Sequence, residues 1–306
     1  MTKLQIRHLI EERIFEDGLM ETGVKGVQIF RATQSVPCAP VVYEPSVIAI
    51  VSGSKEAILD GQNYVYDNSR YLCCPMAMPV RAGTPAASPD NPLYGIYISL
   101  DQRMMTELAV EMDRVGGVIG SSKANPAAQG IVLANWDAAF SDALLRLLKL
   151  GSSPSDIAIL GQARLRELYY TILKGEAGYF ARQAFSVGNA IARSITHVSS
   201  NLREPVSIDD MAAHAGMSRA VFHRKFKDVT TMSPIQFVKS MRLGSAATKI
   251  AAGMTVNEAA MDVGYVSTSQ FSREFKRMYG QSPRQWGNIQ QHPEKPVPGP
   301  KIAQGA

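Results

Sequence analysis

Cysteine is scarce in this chain of 306 residues: only Cys38, Cys73 and Cys74 occur, and two of them are adjacent. That number and spacing build neither a disulfide framework nor a metal-ligand set, so a reducing compartment, the cytoplasm, is expected. Long apolar runs are missing as well. No stretch of about 18 consecutive apolar residues is present, which argues against a membrane-spanning helix. Met1-Thr2-Lys3-Leu4-Gln5-Ile6-Arg7-His8 also lacks the basic-then-apolar layout of a signal peptide. No membrane is therefore expected as a partner. Charge is thin, at 19% of residues, while 45% are hydrophobic. That leaves enough apolar material for two domains of the usual size, roughly 100 to 200 residues each.

The net charge of +5 is unevenly placed. Residues 1–185 hold 17 Lys and Arg against 19 Asp and Glu, a balance of −2, whereas residues 186–306 hold 15 against 8, a balance of +7. A basic block is often only a solvated surface, but nucleic acid is the partner that such a block suits. The order of residues within it decides between the two.

Residues 1–25 read as a short helix, with Leu4, Ile6, Leu9, Ile10 and Ile14 near a helical period. From Val27 to Leu100 short apolar runs, such as Val47-Ile48-Ala49-Ile50-Val51 and Tyr94-Gly95-Ile96-Tyr97-Ile98, are broken by turn signals at Ser52-Gly53, Asp60-Gly61 and Asp67-Asn68. This is the texture of a small antiparallel barrel or sandwich. Asn135 to Leu150 and Ser155 to Leu173 then read as helices, split by Gly151-Ser152-Ser153-Pro154. They could cap the barrel or pair with their copies in a second chain. Gln291 to Ala306, with four prolines and no apolar period, reads as a disordered tail.

An internal repeat is the strongest signal. Ser207 to Met217 matches Thr255 to Tyr265 at an offset of 48, and Phe222, Arg224, Phe226, Ser233, Pro234 and Phe237 match Phe271, Arg273, Phe275, Ser282, Pro283 and Trp286 at 49. Each unit opens with a Ser or Thr that can cap a helix, and Asp210 or Glu258 follows three residues later. Gly216 or Gly264 stands where a tight turn needs positive φ. A second helix then starts at Ser218 or Ser267, with Phe222 and Phe226, or Phe271 and Phe275, on one buried face. Its other face is polar and cationic: Arg219, His223, Arg224 and Lys227 in the first copy, Ser269, Gln270, Arg273 and Lys276 in the second. One such unit could be a plain helical hairpin. Two of them read as paired helix-turn-helix units, joined by a long helix from Pro234 to about Ala252. Such a spacer can hold two readers on adjacent major-groove segments about 34 Å apart.

At this level of detail the residues resemble the C-terminal DNA-binding domain of AraC/XylS transcriptional regulators. The resemblance rests on Ala215-Gly216-Met217-Ser218, Phe222-His223-Arg224-Lys225-Phe226-Lys227 and Ser233-Pro234, then on Val263-Gly264-Tyr265, Ser269-Gln270-Phe271-Ser272-Arg273-Glu274-Phe275-Lys276 and Ser282-Pro283. It covers about residues 189–287. Residues 27–185 are similar, less strongly, to the N-terminal domain of one AraC branch, through Tyr43-Glu44-Pro45-Ser46, Val51-Ser52-Gly53, Gly61-Gln62-Asn63-Tyr64 and Arg70-Tyr71-Leu72. The resemblance implies base contacts from Ala220, His223 and Arg224 in the first unit and from Ser269, Gln270 and Arg273 in the second. Lys227 and Lys276 complete the two DNA-binding faces. There are departures. Ala220 is too short to hydrogen-bond a base edge. Thr231 stands where the family often has Gly, and Gly287 where a basic residue is common. Gly244 and Ala246-Ala247 replace larger spacer residues.

The resemblance also implies a cupin-like sensor barrel. Many cupins hold metal through His-x-His, yet His8 is the only histidine before His197, so neither metal nor cofactor is expected. No nucleophile-base-acid set is evident, and no enzyme is expected. Arg31, Arg70 and Arg81, with Tyr43 and Tyr66, form the expected effector set. If they converge they suit an anionic planar ligand, a nucleotide-type second messenger or an aromatic acid. Cys73 and Cys74 offer a competing thiol sensor, against the blander reading of buried, inert cysteine. The expected fold is α+β. A sensing and dimerisation domain spans 1–185, with its cupin-like barrel at about 27–100 and helices at about 125–185, and an all-α domain with two helix-turn-helix units spans 189–287. The expected protein is a homodimeric regulator that binds double-stranded DNA and a small-molecule effector, with RNA polymerase as a candidate partner. An enzyme or alkyl-acceptor repair protein fused to a DNA-binding module, and an effector-independent architectural DNA binder, are the alternatives.

Overall fold

The computed structural model describes residues 2–115, 130–186 and 189–291. The tail expected from 291 onward lies outside them, apart from Gln291. The chain opens with helix α1 (Thr2–Glu11) and strand β1 (Gly18–Glu21). The helix read over residues 1–25 is thus shorter, because Leu19 and Met20 pair with Phe30 and Ile29 and the segment is captured as an edge strand.

Eight strands follow: β2 (Val27–Ala32), β3 (Val36–Tyr43), β4 (Ser46–Ser52), β5 (Ser54–Leu59), β6 (Gln62–Asp67), β7 (Arg70–Cys74), β8 (Met78–Thr84) and β9 (Leu93–Ser99). After helix α2 (Gln102–Arg114), strand β10 (Val132–Asn135) pairs with β7, in a stretch expected to be helical. Residues 116–129, where those helices were expected to begin, lie outside the described residues. Two antiparallel sheets result, ordered β1-β2-β9-β4-β7-β10 and β3-β8-β5-β6. Strand alternation sorts their faces. In the larger sheet Ile29, Ile96 and Ala49 stand in one cross-strand row, while Tyr97 pairs with Ile48 on the opposite parity. Phe30 lies across from Gly95, where any side chain would collide with its ring.

Helices α3 (Ala138–Lys149), α4 (Pro154–Lys174) and α5 (Gly178–Phe185) cover this sheet system. Asp137 and Ser153 cap the first two, and Pro154 occupies the first turn, where its missing N–H is not needed. Tyr71 stacks on Phe140 at 4.3 Å between ring centroids, which ties α3 to β7.

The C-terminal part is all helical: α6 (Ala190–Ser200), α7 (Ile208–His214), α8 (Arg219–Thr230), α9 (Pro234–Ala251), α10 (Val256–Asp262), α11 (Thr268–Tyr279) and α12 (Pro283–Gln291). The fold is therefore α+β, with helix-turn-helix units α7–α8 and α10–α11 on either side of the spacer α9. The first unit packs Phe222, Phe226 and Phe237. The second packs Phe271, Phe275 and Tyr265, with Trp286 donating its indole N–H to the Ala247 carbonyl at 3.0 Å. Of the small spacer residues, Gly244 faces the N-terminal strands, whereas Ala246 and Ala247 lie in the core of the second unit. Helix α9 lies against β3 and β8, and a Cβ at Gly244 would sit 3.4 Å from the Val42 methyl. Among the described residues no helix is long and apolar enough to cross a membrane.

Candidate DNA-reading face and sensor cavity

Capping and turn chemistry set both reader helices. Ser207 caps α7, and Thr255 with Glu258 forms a complete capping box on α10. Gly216 and Gly264 take φ of 63° and 85°, which lets each unit turn sharply into its second helix. At Gly264 a Cβ would meet two carbonyl oxygens at 2.7 Å. The C-termini of the reader helices match as well. Thr231 (φ 65°) and Gly280 (φ 76°) both take the left-handed conformation, and each donates its N–H to a carbonyl four residues back at 2.8 Å.

Ala220, His223, Arg224 and Lys227 on α8 are all exposed, as are Ser269, Gln270, Arg273 and Lys276 on α11. Their spacing puts each set on one helix face, away from the buried phenylalanines. The two faces are not copies. The offset of 49 lays Ser269, Arg273 and Lys276 over Ala220, Arg224 and Lys227, but Gln270 over Val221 and Ser272 over His223. Among the described residues Arg224, Lys227, Arg273 and Lys276 have no ion-pair partner, whereas Arg219 is drawn back to Asp209 at 3.2 Å. Four guanidinium and ammonium groups thus stand free for an outside anion.

Between the two sheets lies a cavity of about 400 Å³, lined by Phe30, Val41, Tyr43, Ile48, Tyr97 and others. Of the expected effector residues, the structure brings Arg31 and Tyr43 into its wall. Tyr66 is buried behind Tyr43, their hydroxyls 3.1 Å apart. Arg70 and Arg81 are corrections: both are exposed. Arg70 opens β7 opposite Asn135. Arg81 alternates with inward Val80 and Ala82, donates to the Cys38 carbonyl at 3.1 Å and lies near Tyr279.

Lys55 reaches the cavity in their place. Its ammonium lies 5.7 Å from the Phe30 ring centre, and burial lowers its pKa from the usual lysine value. Among the described residues no carboxylate pairs with it. Lys-Glu at residues 55 and 56 reads as a solvated pair, and only the strand's parity signals that the lysine faces inward. Arg31 hydrogen-bonds the Phe15 carbonyl and lies 3.7 Å from the Asp17 carboxylate, and only its Nε is buried without a partner. Glu44, also in the wall, is pushed upward in pKa by burial. Cys73 and Cys74 are buried outside the cavity wall. Burial raises the Cys73 pKa to about 12 and also raises that of Cys74, so both thiols stay protonated at neutral pH. Among the described residues no group of three or more His, Cys, Asp or Glu is placed to hold a metal ion.

The family model for the N-terminus of AraC-type transcriptional regulators matches residues 23–180, and a helix-turn-helix domain model matches residues 211–288. The chain belongs to the AraC family of transcriptional regulators. The regulatory protein SoxS of Escherichia coli K12 is 31% identical over 90 residues, which cover 29% of this AraC-family chain and 84% of SoxS. The regulator MtrA of Neisseria gonorrhoeae is 41% identical over 81 residues, 26% of this chain. That match spans only about a quarter of MtrA, 27% of its length. Among solved structures, ToxT of Vibrio cholerae with a bound unsaturated fatty acid superposes with a TM-score of 0.54 at 14% identity. The superposition covers 90% of this chain and 98% of ToxT, a likeness of fold across both domains.

Proposed function

We propose that this AraC-family regulator is controlled by a small carboxylic acid with an apolar body, held in the barrel cavity with its acid group against Lys55. Lys55 carries the reading. A desolvated ammonium with no carboxylate partner costs free energy until an anion reaches it. Arg31, already paired with Asp17 and the Phe15 carbonyl, is the second donor through its unpartnered Nε. The mostly apolar wall suits a single acid head better than a nucleotide, which needs several polar partners. ToxT, similar in fold, has been solved with a bound unsaturated fatty acid. An aromatic acid has the same chemistry.

In this reading residues 1–185 sense and dimerise, and residues 189–287 read DNA. Ala220, His223, Arg224, Ser269, Gln270 and Arg273 face base edges in two successive major grooves, and Lys227 and Lys276 face phosphates. Helices α3 to α5 form the homodimer contact, a role that exposed Ile159 and Tyr170 on α4 support. Strand β3 carries the signal, since Val41 and Val42 line the cavity while Val42 touches the spacer at Gly244. A ligand that prefers one seating of α9 on β3 thereby changes operator affinity. The protein acts in the cytoplasm by binding alone, with RNA polymerase as a further partner.

Thermal shift on the full chain tests this. An 18-carbon unsaturated acid or a naphthoic acid at about 100 times its dissociation constant adds roughly 2.7 kcal/mol. Lys55→Met removes the shift and leaves ligand-free DNA binding intact. A shift that persists in Lys55→Met, or one produced only by nucleotides, overturns the reading.

A further inference from the structure

The second reader helix carries a side-chain cluster that the first lacks. Glu274, one turn after Gln270 on α11, has a side chain only 16% exposed. Its carboxylate gathers donors from three elements. Tyr265 of the turn donates its hydroxyl to Oε2 at 2.9 Å, Lys239 of the spacer approaches Oε1 at 3.3 Å, and the Gln270 amide nitrogen approaches the same oxygen at 3.4 Å. Burial pushes the Glu274 pKa up, but these donors more than offset it and hold the carboxyl below the ordinary range. In the first unit the corresponding positions are Met217, Val221 and Lys225, and no such cluster can form. The arrangement is therefore not a requirement of the helix-turn-helix fold.

A carboxylate only accepts hydrogen bonds, whereas a glutamine amide has one accepting and one donating end. Glu274 can therefore hold Gln270 only by its NH2 group, which leaves the Gln270 carbonyl oxygen away from that carboxylate. We propose that Glu274 is a positioning residue that fixes the amide orientation of Gln270 and so determines which base edge the second reader accepts. A fixed amide offers one acceptor and one remaining N–H side by side, the pair that matches the N6 and N7 edge of adenine. An amide free to flip also fits edges with the donor and acceptor exchanged, and discrimination falls. This rests on the proposed reading of Gln270 as a base contact.

The test is selection of bound sites from randomised duplex DNA by the full chain, followed by affinities for single-base variants of the best site. The wild type is expected to prefer adenine about fivefold or more at one position of the second box. Gln270→Ala removes that preference. Glu274→Gln, which keeps size and the Tyr265 acceptor, reduces the same preference to about twofold or less and leaves the preferences set by Ser269 and Arg273 in place. Glu274→Asp keeps the charge beside Lys239 but withdraws the carboxylate from Gln270, so the same loss is expected should the Gln variant fail to fold. Uniform weakening on all sequences, with the adenine preference kept, overturns the proposal and leaves Glu274 a packing residue. If Gln270→Ala changes no base preference, the base-reading assignment of Gln270 fails, and this proposal with it.

Discussion

Thr231 is the place where the two repeats differ most clearly in cost. It ends α8 at φ 65°, a conformation unfavourable for a β-branched residue, while its counterpart Gly280 ends α11 at φ 76° without penalty. A non-glycine residue in this region costs about 1–2 kcal/mol. The Thr231 hydroxyl is also buried without a partner, which adds roughly 1 kcal/mol or more. Against this, glycine loosens the unfolded chain by about 0.4–1 kcal/mol, and removing the methyl forfeits up to about 0.8 kcal/mol of burial. Thr231→Gly is therefore expected to stabilise by about 1 kcal/mol. For a unit the size of the C-terminal domain that is about 4–8 °C in melting temperature. The reciprocal change is cleaner still. A Cβ at Gly280 meets nothing within 4 Å, so Gly280→Ala leaves only backbone contributions, the left-handed cost less the stiffening of the unfolded chain, and should destabilise by about 1 kcal/mol. Trp286 packs beside Phe275 and Tyr279, so its fluorescence in a Trp136→Phe background follows this domain alone within the full chain. Urea titrations that find Thr231→Gly neutral or destabilising would refute the reasoning, and so would a Gly280→Ala variant as stable as the parent.

Three further outcomes are expected. Arg273→Ala should cost about 1–3 kcal/mol at one base pair, whereas Lys227→Ala should weaken all sequences alike and flatten the salt dependence by about one unit; equal losses on operator and random DNA for both would reject this division of roles. Because desolvation lowers the Lys55 pKa in the folded state, the half-buried ammonium destabilises at every pH below that lowered value. Stability should rise as pH climbs through it toward the unfolded-state pKa, and denaturation in Lys55→Met should show both a higher neutral-pH stability and no such rise. Gly244→Leu should force α9 off Val42, leaving DNA affinity near the parent's but abolishing its response to ligand in binding assays; an unchanged response would remove β3 as the signal route.

The DNA-binding half was legible in the sequence because its determinants are local. Capping residues at Ser207, Ser233, Thr255 and Ser267, turn glycines at 216 and 264, and paired phenylalanines at helical spacing act within a few residues of one another, and duplication displays them twice. The barrel cavity was only half legible. Tyrosines and arginines in strands can be counted in the sequence, but which side of a sheet each occupies depends on register with distant strands, and a shift of one residue reverses it. Tertiary structure turned Arg70 and Arg81 outward, brought Lys55 inward, and made β3 the wall shared by cavity and spacer. Gly244 and Ala246-Ala247 stand out in the sequence only as departures from a family pattern. Gly244 faces strands some 200 residues earlier in the chain, a neighbourhood that exists only once the tertiary structure forms, whereas Ala246 and Ala247 fill the core of the second unit.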